Sequence, residues 1–256
     1  MDLKNFKIST VIVIIALLVI GLYVVTEVTY FSAKNNAEPD NVTVPVVYIP
    51  KIGVNEKINN VSISQGVFID EMSYKPTEGD VVIFGHRTLQ GSAFLRLNEL
   101  KKGDVVSLKW PDIGDINYTI KSSKIVPASY LLNLNESHIN DTNHQELYLI
   151  TCHPIGSASQ RLIYIAEYNS SSLYDSNVEQ PSYFWYPWII TLVFFVFGLL
   201  VTYLFRDRSN DKINQRIILA TVIIITIVLV FFILFPGSSQ YWANELQWLN
   251  GLIGIG

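Results

Sequence analysis

Three side chains that together support covalent catalysis lie in two short segments of the chain. Cys152, the only cysteine, follows an apolar run at residues 147–151, and Arg161 opens the next apolar run. A Pro/Gly/Ser loop separates these runs, which predicts two adjacent strands with the thiol and the guanidinium at neighbouring ends. His86 follows an earlier apolar run and is the best candidate for a base. Cysteine needs such a partner, because an unperturbed thiol is only slightly ionised at neutral pH.

The chemistry of these residues allows a role for each of them. Cys152 is the candidate nucleophile, and His86 can pair with its thiolate or protonate a departing amine. Arg161 is permanently cationic and can hold a substrate carbonyl oxygen or its oxyanion with a planar set of N–H donors. Thr151 can donate a hydrogen bond to the substrate in the site or simply fill a strand position.

Three ordered motifs surround these residues. They are Ile49-Pro50-Lys51-Ile52-Gly53-Val54; Gly85-His86-Arg87-Thr88 with Phe94, Leu97, Leu100 and Gly103-Asp104; and Ile150-Thr151-Cys152-His153-Pro154 with Ser157-Ala158 and Arg161-Leu162-Ile163. Together they resemble the signature of the sortases, membrane-anchored cysteine transpeptidases with a β-barrel domain, and their details favour the class E-like branch. The resemblance covers roughly Val44 to Glu167 and implies that Cys152, His86 and Arg161 are catalytic. Two features depart from the family pattern: Tyr148 stands where many members carry threonine, and the family does not generally end in two further membrane spans.

Other residues near the motifs have less direct interpretations. His153 adjoins Cys152, but neighbours on a strand point to opposite faces, so His86 is preferred as the base. Arg87 is interpreted as a charge on the barrel rim rather than as a catalyst. The sequence has no His/Cys cluster with metal-ligand spacing and no glycine-rich phosphate loop. It therefore predicts neither a metal nor a cofactor.

The polar middle of the chain is rich in predicted strands. These are Val46–Ile49, Val81–Phe84, Val105–Lys109, Asn117–Val126, Leu147–Thr151 and Leu162–Glu167. A short helix is predicted over Ala93–Leu100, where apolar residues recur at helical spacing. Many short strands with little helix indicate an all-β barrel or sandwich. The resemblance selects the closed sortase-type β-barrel with short helices, flanked by transmembrane α-helices.

Half of the residues are hydrophobic, and they concentrate in three uncharged blocks. These blocks are Ile8–Val25, Phe184–Phe205 and Ile217–Phe235. Each has about 18–22 residues, enough to cross a hydrocarbon core of about 30 Å at about 1.5 Å per residue. The sequence therefore predicts one N-terminal and two C-terminal spans. The first block is long for a secretory signal and lacks a small-x-small cleavage site, which favours an uncleaved anchor over a signal peptide.

Basic residues predict the orientation of these spans, because they concentrate in cytoplasmic segments. Lys4 and Lys7 precede the first span, and the loop between the other two carries Arg206, Arg208, Lys212 and Arg216. The protein is therefore predicted to be a multi-pass cell-membrane protein with an extracellular catalytic domain. The predicted organisation is a cytoplasmic stub and anchor at 1–26, a stalk at 27–43, the catalytic barrel at 44–168, a linker at 169–183, spans at 184–205 and 217–235 joined by a cytoplasmic loop at 206–216, and an external amphipathic tail at 236–256.

The leading functional hypothesis follows from the resemblance. It is a sortase-like cysteine transpeptidase, of the hydrolase class, that cleaves an LPxTG-like sorting signal through a Cys thioester acyl-enzyme. The acyl group passes to an amine of the cell envelope or of a protein subunit, so the partners are sorting-signal-bearing surface proteins, the amine acceptor and the membrane. A net charge of −4 and the lack of a basic stripe argue against nucleic acid. The alternatives are a processing peptidase that uses water and a non-catalytic, membrane-tethered peptide-binding module with a structural Cys152.

Overall fold

The computed structural model of the protein describes residues 8–36, 44–71, 73–88, 90–130, 145–172, 183–208 and 212–236. Within these ranges the chain divides into two compact units, one made of long helices and the other of β-strands. Most of the predicted amphipathic tail lies outside the described residues. So do the start of the cytoplasmic stub, the end of the predicted stalk, and the middle of the predicted linker and of the predicted cytoplasmic loop.

The strand unit is a closed barrel, which confirms the predicted fold class. Its order is β1-β2-β3-β4-β7-β8-β6-β5. The strands are β1 (Val46–Ile49), β2 (Val54–Asn59), β3 (Val67–Ile69), β4 (Val81–Phe84), β5 (Val105–Trp110), β6 (Gly114–Pro127), β7 (Glu146–His153) and β8 (Gln160–Ser172). Six of them match strands predicted from the sequence, although β8 continues past the predicted domain end at residue 168.

Two strands, β2 and β3, were not predicted. The β2 sequence, Val-Asn-Glu-Lys-Ile-Asn, has too few apolar residues to alternate clearly, and β3 has only three residues. Pairing with neighbouring strands stabilises both of them: β2 runs antiparallel to β1, and β3 runs antiparallel to β4. The helix predicted over Ala93–Leu100 is shorter than expected, because only Leu97–Glu99 forms a 3-10 turn.

Strand pairing brings the candidate catalytic segments to one end of the barrel. Strand β4 lies parallel to β7, with Phe84 beside Ile150, and the Gly85 N–H donates to the Ile150 carbonyl oxygen at 3.1 Å. Strand β8 lies antiparallel to β7, with Cys152 directly opposite Arg161. The end of β4, the end of β7 and the start of β8 therefore meet at the same place.

Alternation along these strands separates an inner from an outer face. Residues such as Ile83, Leu147 and Leu149 are fully buried in the barrel core. The outward positions of β6, β7 and β8 carry a second buried apolar cluster, Val126, Tyr148, Ile150 and Ile163, with Val82, Phe84, Tyr130 and Ile165 packed against it. We call these eight residues the outer-face cluster. Each fully buried large side chain contributes about 1.5–3 kcal/mol, so apolar packing stabilises this sheet on both faces.

The helical unit contains α1 (Ile8–Asn36), α2 (Tyr186–Arg208) and α3 (Lys212–Leu234). Each includes a segment long and apolar enough to cross a membrane, as predicted for one N-terminal and two C-terminal spans. The three helices pack together around a shared apolar cluster, Leu17, Val25, Val28, Phe194, Ile218, Val222, Ile225 and Leu229. The C-terminal hairpin is thus packed against the N-terminal anchor.

Helix α1 is longer than the predicted span and continues through residues 27–36 of the predicted stalk. Its last turns contact the start of α2. Phe31 and Tyr186 have ring centroids 5.1 Å apart, the Lys34 ammonium lies 4.0 Å from the centroid of the Tyr183 ring, and Asn35 Nδ2 donates to the Tyr183 carbonyl oxygen at 3.1 Å. The chain therefore leaves and re-enters the helical unit at adjacent points.

Candidate active site

Cys152 lies near the end of β7, on its outer face. The inner face of this strand is marked by Leu147 and Leu149 in the barrel core, whereas Tyr148 and Ile150 belong to the outer-face cluster. Cys152 continues the second series and is half-buried. Burial raises the pKa of its thiol, and the positive charges of Arg161 and Arg87 act in the opposite direction. The thiol thus borders an apolar surface and is influenced by two cations.

Arg161 is the second residue of β8 and lies opposite Cys152, on the same outer face as Ile163. Its guanidinium Nη1 donates to the carbonyl oxygens of Ala158 at 2.7 Å and of Gln160 at 3.0 Å. These two bonds hold the side chain against the loop between β7 and β8. A guanidinium anchored in this way presents a fixed positive charge beside the thiol.

His86 follows β4 and is half-buried. Its carbonyl oxygen accepts from the Phe94 N–H at 3.0 Å, and its imidazole hydrogen-bonds with the Gln90 side chain. Burial lowers the pKa of His86 to about 4. The imidazole is therefore neutral at neutral pH in the free protein and is able to accept a proton. Parallel pairing of β4 with β7 carries His86 towards the end of the barrel at which Cys152 and Arg161 meet.

Thr151 faces the barrel interior and is 3% exposed. Its hydroxyl donates to the Gly85 carbonyl oxygen at 2.7 Å. Thr151 thus joins β7 to the residue before His86 from the inner side of the strand. Its contact with substrate stays a prediction.

Arg87 is the residue of this site that the sequence does not reveal. It was interpreted as a charge on the barrel rim, and that interpretation is wrong, because Arg87 is only 3% exposed. Its guanidinium donates to the Cys152 carbonyl oxygen at 3.4 Å and lies 3.1 Å from His153 Nδ1. His153 therefore contacts the Arg87 side chain, which lies beneath the strand end. In the sequence, the one indication that Arg87 belongs to this site is its position directly after His86.

Gly85 positions His86 through a close approach to Phe94. A Cβ at residue 85 would lie 2.5 Å from the Phe94 ring, which is fully buried. We expect Gly85→Ala to lower the free energy of unfolding by about 1–3 kcal/mol, the usual cost of overpacking, and to displace His86. Thermal unfolding of the purified protein measures the first effect, and peptide turnover measures the second. Adding Phe94→Leu should recover part of the stability; an equally unstable double variant would show that this contact is not the cause.

Both the sequence and the fold of the chain are similar to those of known proteins. A family model described as the sortase domain matches residues 40–169. Sortase C-1 from Actinomyces oris is 26% identical, with a TM-score of 0.45, and the match covers 51% of this chain and 76% of that one. Sortase A from Corynebacterium diphtheriae is 21% identical, with a TM-score of 0.45, and the match covers 55% of this chain and 67% of that one. Sortase A from Listeria monocytogenes is 19% identical, with a TM-score of 0.46, and the match covers 56% of this chain and 98% of that one. No curated protein matches the chain. Because the family model covers half of its length, with the segments of Cys152, His86 and Arg161 inside the match, the chain belongs to the sortase family.

Proposed function

We propose that the protein is a membrane-anchored cysteine transpeptidase that cleaves an LPxTG-like sorting signal and transfers the new acyl end to an amine. The observation that carries the proposal is the cross-strand pair of Cys152 and Arg161, with His86 at the end of the strand on the other side of β7. These residue types suit nucleophilic attack, oxyanion stabilisation and proton transfer respectively. Membership of the sortase family supports the same assignment.

In the first half-reaction, Cys152 Sγ attacks the backbone carbonyl carbon of the sorting signal, usually after its threonine. The thiol proton passes to His86, whose neutral imidazole can accept it. Arg161 stabilises the negative oxygen of the tetrahedral intermediate. The C–N bond then breaks as the His86 imidazolium gives its proton to the leaving amine. This leaves a Cys152 thioester and a neutral imidazole.

In the second half-reaction, an acceptor amine attacks the thioester carbonyl. His86 removes a proton from this amine and later returns it to the departing Cys152 sulfur, so that the free enzyme is regenerated. The net change is one peptide bond broken and one amide bond formed. Burial favours the neutral forms of both the Cys152 thiol and the His86 imidazole. The thiolate–imidazolium pair is therefore a minor form of the free enzyme. The attack on the substrate occurs from this minor form.

The outer-face cluster supports binding of an extended peptide beside Cys152. It lies on the same face of β7 and β8 as Cys152 and Arg161, and its members Phe84, Ile150 and Ile163 lead directly to the catalytic residues. Ile150 and Ile163 are fully buried, so the partly buried members Val82, Phe84 and Ile165 form the part of this floor that a peptide can contact. Apolar side chains beside a polar catalytic group suit the leucine and proline of the signal, with the scissile bond next to the thiol. The same surface explains why a peptide would reach Cys152 without entering the barrel core.

Formation of the thioester tests the proposal directly. The full-length protein in detergent should gain the mass of the acyl fragment at Cys152 after incubation with an LPxTG-type peptide. Hydroxylamine should remove this mass, because it cleaves thioesters. A peptide with the same composition but a scrambled order is the control. Failure to form an adduct, with the peptide bound to the protein and intact, would support the non-catalytic binding module instead.

The orientation of the protein is a separate part of the proposal. Positive residues beside the predicted spans support a cytoplasmic loop between α2 and α3 and a catalytic domain outside the cell. Surface-protein substrates and envelope amines lie on that outer side. The helical unit would hold the enzyme at the membrane through three packed helices rather than one.

Cysteine labelling in intact cells tests this orientation. On a Cys152→Ala background, a membrane-impermeant thiol reagent should label Ser122→Cys, which lies at an exposed position of β6. The same reagent should label Ser209→Cys, in the loop between α2 and α3, only after the cells are lysed. Labelling of Ser209→Cys but not of Ser122→Cys in intact cells would reverse the proposed topology.

A further inference from the structure

Arg87 is a buried cation in contact with the backbone of the proposed nucleophile. Its Nη1 donates to the Cys152 carbonyl oxygen at 3.4 Å, its Nη2 donates to Asn98 Oδ1 at 2.7 Å and its Nε donates to the Leu95 carbonyl oxygen at 3.4 Å. One guanidinium therefore links the end of β7 to the segment that follows His86. Burial lowers the pKa of Arg87, but guanidinium remains charged at physiological pH.

The partners of Arg87 among the described residues do not neutralise its charge. The carbonyl oxygens, the Asn98 amide and the His153 ring are all groups without negative charge. None of the ion pairs found among the described residues includes Arg87. Arginine is rarely buried this deeply without a carboxylate, because removal of its charge from water is costly. A charge kept under these conditions affects the groups close to it, and the positive charge of Arg87 acts on the Cys152 thiol.

We propose that Arg87 is a positioning residue for the proposed reaction: it fixes the Cys152 backbone and stabilises the thiolate from beneath the strand. Arg161 acts on the thiol from the outer face and would contact the substrate, whereas Arg87 acts through the protein. This inference rests on the proposed role of Cys152 as nucleophile. Among the described residues, the charges that act on the thiol are those of Arg161 on β8 and Arg87 after β4, and Tyr164 on β8 acts on Arg87. His86 follows the neighbouring strand β4, and His153 follows Cys152 on β7.

The contact with His153 predicts a specific tautomer. An arginine N–H that lies 3.1 Å from Nδ1 can only donate, so His153 Nδ1 must be the acceptor. In the full-length protein labelled with ¹⁵N-histidine, the His153 signal should therefore report a bare Nδ1 and a protonated Nε2 at neutral pH. His153→Gln assigns this signal among the four histidines. A protonated Nδ1 in the wild type would overturn the proposed geometry without any variant of Arg87.

The main test compares Arg87→Met, Arg87→Lys and Arg96→Met in the full-length protein. Arg96 is the matched control, because it lies in the same segment but is exposed and paired with Glu99 at 2.7 Å. The first measurement is the rate of Cys152 alkylation by iodoacetamide as a function of pH. Loss of the Arg87 charge in Arg87→Met should move this profile to higher pH and slow alkylation several-fold at neutral pH. Arg87→Lys keeps a positive charge, so its alkylation profile should stay closer to that of the wild type. The alkylation profile of Arg96→Met should match that of the wild type.

The second measurement is peptide turnover. Both Arg87 variants should lose about 100-fold in kcat, because misplacement of a reacting group by about 1 Å has this effect. Arg87→Lys should lose this activity even though its alkylation profile is nearly normal, since the three N–H donors of one ammonium cannot reach the four separate acceptors of Arg87. A purely structural role would instead lower the melting temperature and leave the alkylation profile of the folded fraction unchanged, and this outcome would overturn the proposal.

The two proposals fail in different ways. If wild-type Cys152 forms no acyl adduct with the peptide, the transpeptidase proposal fails, while alkylation and the His153 signal still report whether Arg87 acts on the thiol. If the adduct forms and Arg87→Met keeps the wild-type alkylation profile and turnover, the role of Arg87 fails alone. Should Arg87→Met not fold, Arg87→Lys decides: wild-type turnover in that variant overturns the positioning role.

Discussion

Replacement of Cys152 by alanine is expected to abolish peptide turnover, with a loss on the order of 10⁴-fold or more, the scale seen when a nucleophile is removed. Cys152 is half-buried beside the apolar outer-face cluster, and alanine is smaller and apolar, so the barrel should remain folded. Cys152→Ser should be nearly as inactive, because a hydroxyl group ionises far less readily than a thiol. Turnover of an LPxTG-type peptide, measured by separation of its fragments, gives the rate. Thermal unfolding of each variant shows that the loss does not come from the fold.

The two partners of Cys152 should show smaller and distinguishable losses. His86→Ala should reduce turnover by about 10²–10⁴-fold, the usual contribution of general acid–base catalysis. Arg161→Ala should reduce it by about 10²–10³-fold, as expected for loss of an oxyanion donor. Arg161→Lys should recover little, because an ammonium cannot donate to the carbonyls of Ala158 and Gln160 and to the substrate with the same geometry.

His153 provides the counter-test for the choice of base. Its ring contacts Arg87, and it lies beside Thr151 and Cys152 on a strand whose successive residues face opposite sides. His153→Ala should therefore reduce turnover less than His86→Ala does. If His153→Ala is inactive and His86→Ala keeps its activity, the assigned base is wrong.

The proposed catalytic set could be assembled from the sequence because strong local signals mark each member. Apolar runs identify β4, β7 and β8. The first two end just before His86 and Cys152, and the third begins just after Arg161. The unique cysteine and the ordered motifs then indicate which of the polar residues at these strand ends belong together. What the sequence could not show is which face each residue takes at the strand ends, and this decides the environments of Thr151 and Arg87.

Arg87 illustrates the physical reason. Arginine is usually exposed, so the expectation of a rim charge follows from its type. Its burial depends on acceptors from three places: Leu95, Asn98 and the end of β7. These acceptors converge only when β4 and β7 are paired, which is a long-range event with no local signal. The extension of α1 to Asn36 has a similar origin, because its last turns contact Tyr183 and Tyr186, far away in the sequence.

The fate of the Cys152 thioester separates a transferase from a hydrolase. In the part of the chain that the structure describes, the charges that act on Cys152 are those of two arginines, and neither can activate water as a base. His86 is the base that we assign to this face, and after acylation it is again a neutral imidazole able to take a proton. An incoming amine is a much better nucleophile than water and needs less help from that base. We therefore expect slow hydrolysis of the adduct and rapid aminolysis.

Product partitioning measures this difference. The full-length protein is incubated with its peptide and with rising concentrations of a glycine peptide, or of hydroxylamine as a small nucleophile. The amide or hydroxamate should replace the free acid as the amine concentration increases, and total turnover should rise because resolution of the thioester limits the rate without amine. An N-acetylated glycine peptide is the matched control, since it has the same backbone without the nucleophilic amine. If the free acid remains the only product while turnover is already fast, water is the natural acceptor and the protein is a processing peptidase built on the same three residues.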